Sequence, residues 1–351
     1  METRTPNAEP WVRIPYEDLC AAVQSALQAH GVAEPVARIE ARIMSEADLH
    51  GVPSHGVRML PPLLRALDDG RANAQANVHV VREFGAICVL HGDNGPGRHV
   101  AATAMQAAVD RARQFGVGVC LATHTTHWGR AHAYALRAAQ AGCIGLCTTN
   151  GVQTMAAWGA TKAVIGNNPL AIGVPRAAGQ HPVVLDIAMS QAAVGKVGTW
   201  LREGREVPAG WGIDSAGQPT TDAQSILWGA VSPMGGHKGT GLALMLEFMT
   251  AALGGGFVCR DLAGSAGTVE ADASKLFIAL DITAFRGADD NGFHAQVDDY
   301  LGYLAREAGV REPFLYPGER GWGECVANLR DGVPVHAEIV AALAQVSASF
   351  R

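Results

Sequence analysis

Residues 116–150, GVGVCLATHTTHWGRAHAYALRAAQAGCIGLCTTN, read as strand, helix and strand in close succession. GVGVCLAT (116–123) is an unbroken apolar run of strand length, the pattern of a strand covered on both faces. Polar residues follow, and Thr126 offers a side-chain oxygen as N-cap for a helix that runs to Gln140 and stops at Gly142. CIGLCTTN returns to strand. Strand alternating with helix predicts an α/β layer.

The alternation continues outward. VHVVREF (78–84) and AICVLHG (86–92) read as strands separated by a turn, and GDNGPG (92–97) as a glycine-rich turn. Residues 100–114 place Ala101, Met105, Ala108 and Ala112 on one helical face. AVIGNNPLAIGVP, HPVVLDIAMS and SKLFIALDITAF add strands, and 239–253 is a helix apolar nearly all round, hence expected to be buried. Both chain ends are helical instead. Leu19, Val23 and Leu27 share one face before Gly31; Val36, Ile39, Ile43 and Ala47 share another before Gly51; 294–308 and 336–347 are amphipathic. The expected plan is a helical domain formed by 1–75 with 290–351 around an α/β domain at 76–289.

A chain of 351 residues is long enough for two domains without disulfide staples. At 48% hydrophobic and 17% charged residues it is a globular rather than a disordered sequence. A net charge of −6 argues against a nucleic-acid surface. No apolar run approaches the ~18 residues of a membrane span, and METRTPNAEPWVRIPYEDL lacks a secretory apolar stretch, so a cytoplasmic location is expected. Seven cysteines without a C-x-x-C suggest buried thiols in a reducing compartment.

Four stretches could carry chemistry. Ser54, His55 and Arg58 lie in a Gly/Pro-rich loop past a helix end; imidazole suits proton transfer and guanidinium suits a carboxylate. His127 to Arg130 lies where a strand gives way to a helix, the usual ligand position in α/β sheets. GGHKGTG (235–241) opens a helix with Lys238 to meet an anion, but lacks Walker spacing. Asp186, on a strand that reads as buried, needs a partner, and a histidine is a natural one. Each stretch reads equally as a polar turn or a capped helix start. His50/His55 and His127/His132 are each five apart, off the one-face spacing, and no H-E-x-x-H occurs, so no metal is expected. No G-x-G-x-x-G fingerprint follows a strand.

Together these motifs resemble the type-2 malate/L-lactate dehydrogenases, a family that includes ureidoglycolate dehydrogenase, 2,3-diketogulonate reductase, sulfolactate dehydrogenase and Δ1-piperideine-2-carboxylate reductase. GVPSHGVRML, HGDNGPG, THWGRAHAYALRAAQAGCIGL, IGNNPLAIGVP, VVLDIAMS, VPAGWGIDSAGQPTTD, GGHKGTGLALMLE, FIALDITAF and PGERG occur in the family's order. The resemblance implies a non-Rossmann, mixed-sheet NAD(P)-binding domain, NADH or NADPH as cofactor, and a homodimer. It implies interconversion of a 2-oxo acid and a 2-hydroxy acid, or in one branch reduction of a cyclic 2-imino acid. By the same resemblance His55 is the proton donor, Ser54 and Asp186 its hydrogen-bonded companions, and His127 a second candidate base. His127, Trp128, Gly129, Arg130, Ala131, Asn150, Asp186, Ile187, Ala188, Met189, Ser190, Lys238, Gly318, Glu319 and Arg320 match cofactor-contacting positions. Arg58 and Asn168 are expected at the substrate. Three positions depart from the family pattern: Met59 where arginine is common, GNNP for G-T-N-P, and Thr240 where tyrosine is common.

Overall fold

A computed structural model describes residues 11–262, 271–287, 292–307 and 314–346. The chain begins with β1 (Trp11–Ile14), α1 (Tyr16–Ala29) and α2 (Glu34–Leu49), then two single 3-10 turns, Pro53–His55 and Val57–Met59, and α3 (Leu60–Asp68). The central part is β2 (His79–Phe84), β3 (Ile87–His91), α4 (Gly97–Phe115), β4 (Val117–Thr125), α5 (His132–Gln140), β5 (Cys143–Thr149), β6 (Met155–Ala156), β7 (Ala163–Ile165), β8 (Leu170–Val174) and β9 (Val183–Ile187). Next come α6 (Val194–Arg202), β10 (Gly212–Ile213), α7 (Ala223–Trp228), β11 (Ala230–Val231), α8 (His237–Glu247) with a π-helical continuation Phe248–Ala252, and β12 (Ala273–Asp281). The chain closes with α9 (Ile282–Arg286), α10 (Gly292–Glu307), α11 (Glu319–Asp331), β13 (Val333–His336) and α12 (Ala337–Val346).

Seven strands form the main sheet in the order β2-β3-β4-β12-β5-β8-β9. Among the described residues of this sheet only β3 and β4 pair in parallel; every other neighbour in it is antiparallel. α4 and α5 pack on it with faces of small residues, Ala101, Ala104, Ala108 and Ala112 on one and Ala135 and Ala138 on the other. Glycine completes the approach: a Cβ at Gly118 would overlap the Ala108 carbonyl, and one at Gly173 the Ala135 carbonyl. A second sheet, β10-β11-β6-β7, shares a core with α6, α7 and α8 through Met155, Val197, Ile226 and Leu246. A third core joins the chain ends, where β1 pairs antiparallel with β13. There Leu19, Leu27, Met44, Leu60 and Leu64 pack with Cys325, Val333, Val335 and Leu343. Among the described residues no helix is long and apolar enough to cross a membrane.

Three local expectations are corrected. Thr126 does not cap α5: its Oγ1 donates to Gly95 O at 2.8 Å, and the helix starts only at His132. The strand of SKLFIALDITAF ends at Asp281, whose carboxylate accepts from Thr283 N at 2.9 Å and so starts α9. The 239–253 helix is not buried all round. Ala243, Leu246, Glu247, Thr250 and Ala251 face inward at three- and four-residue spacing, whereas Leu242, Met245, Phe248, Met249 and Leu253 are 40–68% exposed.

Candidate active site

The loop after α2 is held from below. Gly51 takes φ 71 at the helix end. Asp48, in the last turn of α2, accepts from Val57 N at 2.7 Å. A Cβ on Gly56 would overlap the Asp48 carboxylate, so only glycine lets the turn close over it. On this turn Ser54 Oγ and His55 Nδ1 are hydrogen bonded at 2.9 Å, which leaves Nε2 for other work.

A second element meets the turn from α4. Arg98 is 2% exposed and pairs with the fully buried Glu40 at 3.3 Å; Glu40 also accepts from His99 N at 2.8 Å. Arg98 Nη2 reaches the His55 carbonyl at 3.5 Å. Its Nε stands 2.8 Å from where a Cβ on Gly129 would be, so the guanidinium lies directly under the 127–130 loop. The His55 and His127 rings come within 6.2 Å between centroids at an interplanar angle of 21°. Gly129 N donates to His127 Nδ1 at 3.3 Å.

Asp186 occupies a different place from the one expected. No hydrogen bond joins it to His55 among the described residues. Its Oδ2 accepts from Arg130 Nε at 3.2 Å and from His132 N at 3.1 Å, so it anchors Arg130 and the start of α5. Among the described residues, one buried Arg130 nitrogen, Nη1, has no acceptor.

β9 draws the remaining loops together. Val184 N donates to Pro317 O at 2.9 Å beside Gly318, which has φ 93. Met234 N donates to Met189 O, and Gln191 N to Ser232 O, each at 2.8 Å, so the glycine loop docks on the strand's exit. Lys238 is exposed in the first turn of α8, as is Arg320 near the start of α11. The Glu319 carboxylate accepts from Tyr316 N at 3.0 Å and braces the loop.

Several expected contact residues turn inward. Trp128, Ala131 and Met189 are buried in the core. Asn168 is fully buried at φ 27, and its amide donates to Glu247 Oε2 and Ala243 O, each at 2.8 Å. Asn150 is buried likewise, donating to Glu247 Oε1 at 3.2 Å and Phe257 O at 2.9 Å and accepting from Ser274 N at 2.8 Å. Both amides hold the main sheet to α8 and do not line an open site. Ser190 Oγ donates to Ala192 O at 2.8 Å. Ile187 and Ala188 stay half-buried beside Asp186.

Electrostatics follow from this crowding of cations. Burial pushes His55 down to about 4, and the guanidiniums of Arg130, Arg98 and Arg58 act in the same direction. His127 is also held well below the usual imidazole range, by burial first and then by Arg98, His55 and Lys275. Both rings are neutral at pH 7. Burial drives Asp48 up to about 8 despite the Val57 N–H. Asp186 is raised by burial, with Arg130 opposing. Sequence reasoning had assigned no role to Asp48, Glu40 or Arg98; Arg98, directly after GDNGPG, was the available signal.

Residues 14–344 match the malate/L-lactate dehydrogenase family model. The chain belongs to that family. It is 30% identical to a malate dehydrogenase of Pyrococcus abyssi over 349 residues, 97% of this chain and 95% of that one. It is 32% identical over 338 residues to a Δ1-pyrroline-2-carboxylate/Δ1-piperideine-2-carboxylate reductase of Pseudomonas putida, covering 94% and 95% of the two chains. The solved sulfolactate dehydrogenase of Methanocaldococcus jannaschii superposes with a TM-score of 0.87 at 31% identity, over 95% of this chain and 96% of that one. The protein is therefore an oxidoreductase of the dehydrogenase/reductase kind.

The closure of the turn over Asp48 gives a prediction for this dehydrogenase. Gly56→Ala forces the carboxyl and the turn apart and displaces His55. Misplacing a reacting group by about 1 Å can lower rate by about 10²-fold, and we expect a loss of that order in kcat/KM. Steady-state kinetics alongside far-UV circular dichroism checks it; wild-type kcat/KM would contradict the role of the close approach.

Proposed function

We propose that the protein interconverts a small 2-oxo acid and its 2-hydroxy acid with NADH or NADPH, His55 carrying the proton. The observation that supports this most is the His55 imidazole itself. It is fixed through Nδ1 by Ser54, ringed by Arg58, Arg98 and Arg130, and sits on a turn with no slack. Names of relatives agree: malate and sulfolactate dehydrogenases act on 2-hydroxy acids, and one sulfolactate dehydrogenase relative is named for NADP(+). In this reading the unit of 1–75 with 290–351 presents the His55 turn and contributes Gly318, Glu319 and Arg320, and 76–289 carries the other cofactor residues.

The donor set fits a nicotinamide nucleotide. The orphaned Arg130 Nη1 suits a carboxamide oxygen, and Lys238 and Arg320 suit phosphates. Asp186 holds Arg130 in place and the Gly318 turn brings Arg320 to the same strand. When bound, the cofactor supplies or accepts hydride. The chain's own residues do the rest. Arg58 orients the substrate carboxylate. Ser54 keeps the imidazole aligned, and Nε2 gives a proton to the developing alkoxide or takes one from the hydroxyl. An entering anion offsets the arginine charges and raises the His55 pKa, so substrate binding favours loading the donor.

The sign can be checked by pH. kcat/KM reports the free enzyme, in which His55 titrates at about 4. Oxidation needs the neutral ring, which is present at all pH above that value. Reduction needs the charged ring, whose fraction falls as pH rises. We expect kcat/KM for reduction to drop about tenfold per pH unit above the pKa, and kcat/KM for oxidation to stay flat from mildly acidic to neutral pH. The reduction consumes a proton, so the ratio of the two profiles falls with pH whichever group titrates; an oxidation profile that rises through the acidic range and levels only near neutral pH would remove His55 as the titrating group.

The neutral His55 also supports a second reading, reduction of a cyclic 2-imino acid, whose iminium already carries its proton. One assay separates the two: NADH and NADPH oxidation is followed with a panel of 2-oxo acids, with and without methylamine, and with cyclic imino acids. Turnover of a plain 2-oxo acid supports the first reading; turnover only with amine or cyclic imine replaces it with the second.

A homodimer is part of the same proposal. The exposed stripe Leu242, Met245, Phe248, Met249 and Leu253 lies on one side of α8 and its continuation, too apolar to favour water. Met245→Asp should halve the mass measured by light scattering with helical content unchanged; a wild-type protein already at monomer mass would contradict the dimer.

A further inference from the structure

His127 meets three elements. The start of α4 packs against its backbone, where a Cβ on Gly97 would overlap the His127 carbonyl. The turn after α2 brings the His55 ring to 6.2 Å between centroids. The third element is β12, through Lys275, which has no exposed surface and lies between β4 and β5 in the main sheet. Its Nζ donates to Thr125 Oγ1 at 2.7 Å, and that hydroxyl donates its own proton to Ala273 O at 2.7 Å. The same Nζ stands over the Trp128 ring, 5.6 Å from its centroid. A hydroxyl whose proton is already given and the face of an indole both suit an ammonium. Lys275 therefore grips the chain two residues before His127 and one residue after it.

A hydrogen bond selects the protonation form of His127. Gly129 N donates to its Nδ1 at 3.3 Å, so Nδ1 is an acceptor and the ring's one proton is on Nε2. A second proton would have to sit on Nδ1, against the Gly129 N–H. His55 has no such restriction, because the Ser54 hydroxyl can accept from Nδ1 as well as donate to it. Charge works in the same direction. After burial, Arg98 from α4, His55 from the turn and Lys275 from β12 hold the His127 imidazole below its usual range.

Resting on the proposed 2-oxo acid chemistry, we propose that Lys275 is a positioning residue that keeps His127 a neutral Nε2–H donor and so leaves proton exchange to His55 alone. His127 offers a hydrogen bond to the substrate oxygen, where charge develops, and delivers no proton to it. Lys275 acts only through the 125–129 segment and its charge. Two histidines side by side are thereby divided into one that exchanges a proton and one that cannot.

The test reads the ring directly. Protein labelled with 15N in histidine is followed by nitrogen–proton correlation from about pH 5 to about 8, with His127→Gln to assign the signals. Wild type should show His127 with a bare Nδ1 and a protonated Nε2 throughout. In Lys275→Met or Lys275→Gln the same ring should take up a proton within that range. Its Nδ1 then loses the Gly129 N–H, and kcat/KM for oxidation should fall about tenfold per pH unit below the new pKa, where wild type stays flat. Lys275→Arg, which keeps the charge, should leave the ring silent. Circular dichroism establishes that the variants are folded. A wild-type His127 that titrates or carries its proton on Nδ1 overturns the proposal. So does a folded, uncharged Lys275 variant in which either the ring stays silent or the oxidation profile stays flat, and so does a titrating ring in Lys275→Arg. Absence of turnover with every 2-oxo acid overturns the underlying reading alone, and the spectra still decide what Lys275 does to His127.

Discussion

His55→Ala should lower kcat by about 10²–10⁴-fold, the range that a positioned acid or base contributes, while reduced cofactor binds as in wild type. The imidazole is the titratable group on the turn that Asp48 and Gly56 fix, and its Nδ1 is already engaged by Ser54. Its loss removes the proton relay without touching Arg130, Lys238 or Arg320. The effect therefore falls on kcat rather than on cofactor Kd. His127, 6.2 Å away between ring centroids, is the test of alternatives. His127→Ala with a larger kcat loss than His55→Ala would transfer the proton role to it. Fluorescence titration with the reduced cofactor, run beside steady-state kinetics, separates binding from chemistry.

Arg98→Met should have the largest effect on stability. Glu40 is fully buried, and Arg98 is its cationic partner at 3.3 Å. Removing one member of a buried pair leaves an uncompensated charge and costs about 3–5 kcal/mol. Denaturant unfolding measures the loss. Glu40→Gln in the Arg98→Met background should recover a substantial part of it, since methionine and glutamine leave no charge to bury. The variant also carries a functional signature that a purely structural change lacks. Arg98 is one of the cations holding His55 low, so its removal raises that pKa and moves the reduction profile to higher pH. An unfolding free energy within about 1 kcal/mol of wild type would show that the pair is not the strut it forms here.

Much of this architecture was legible because it is written locally. The alternation through 116–150, the two helices closed by Gly31 and Gly51, and the strand pair around 85 all rest on periodicity and on stop residues. What was not legible was pairing across the chain. β12 enters the sheet between β4 and β5, far from either in sequence, and β1 finds β13. The same holds for the site. The bond between the adjacent Ser54 and His55 was implied by the family resemblance. Glu40 and Arg98 are separated by 58 positions, and nothing in either neighbourhood marks them as a pair. Asn168 was misread for a related reason: a motif assigned it to substrate, but its amide is taken by Glu247, 79 positions on. Asp186 did need a buried partner, as reasoned; the partner was a guanidinium rather than an imidazole. Thr126 failed as a cap because Gly95, on another segment, offers its hydroxyl a carbonyl.

The most direct measurement follows the hydride. Reduced cofactor carrying deuterium at both positions of nicotinamide C4 is mixed with oxaloacetate, 3-sulfopyruvate or pyruvate, and the acid is recovered for mass spectrometry. A 2-hydroxy acid bearing one deuterium on C2, formed by wild type and about 10²–10⁴-fold more slowly by His55→Ala, is the expected result. Cofactor oxidised with no labelled hydroxy acid, or label transferred by His55→Ala as fast as by wild type, would contradict it.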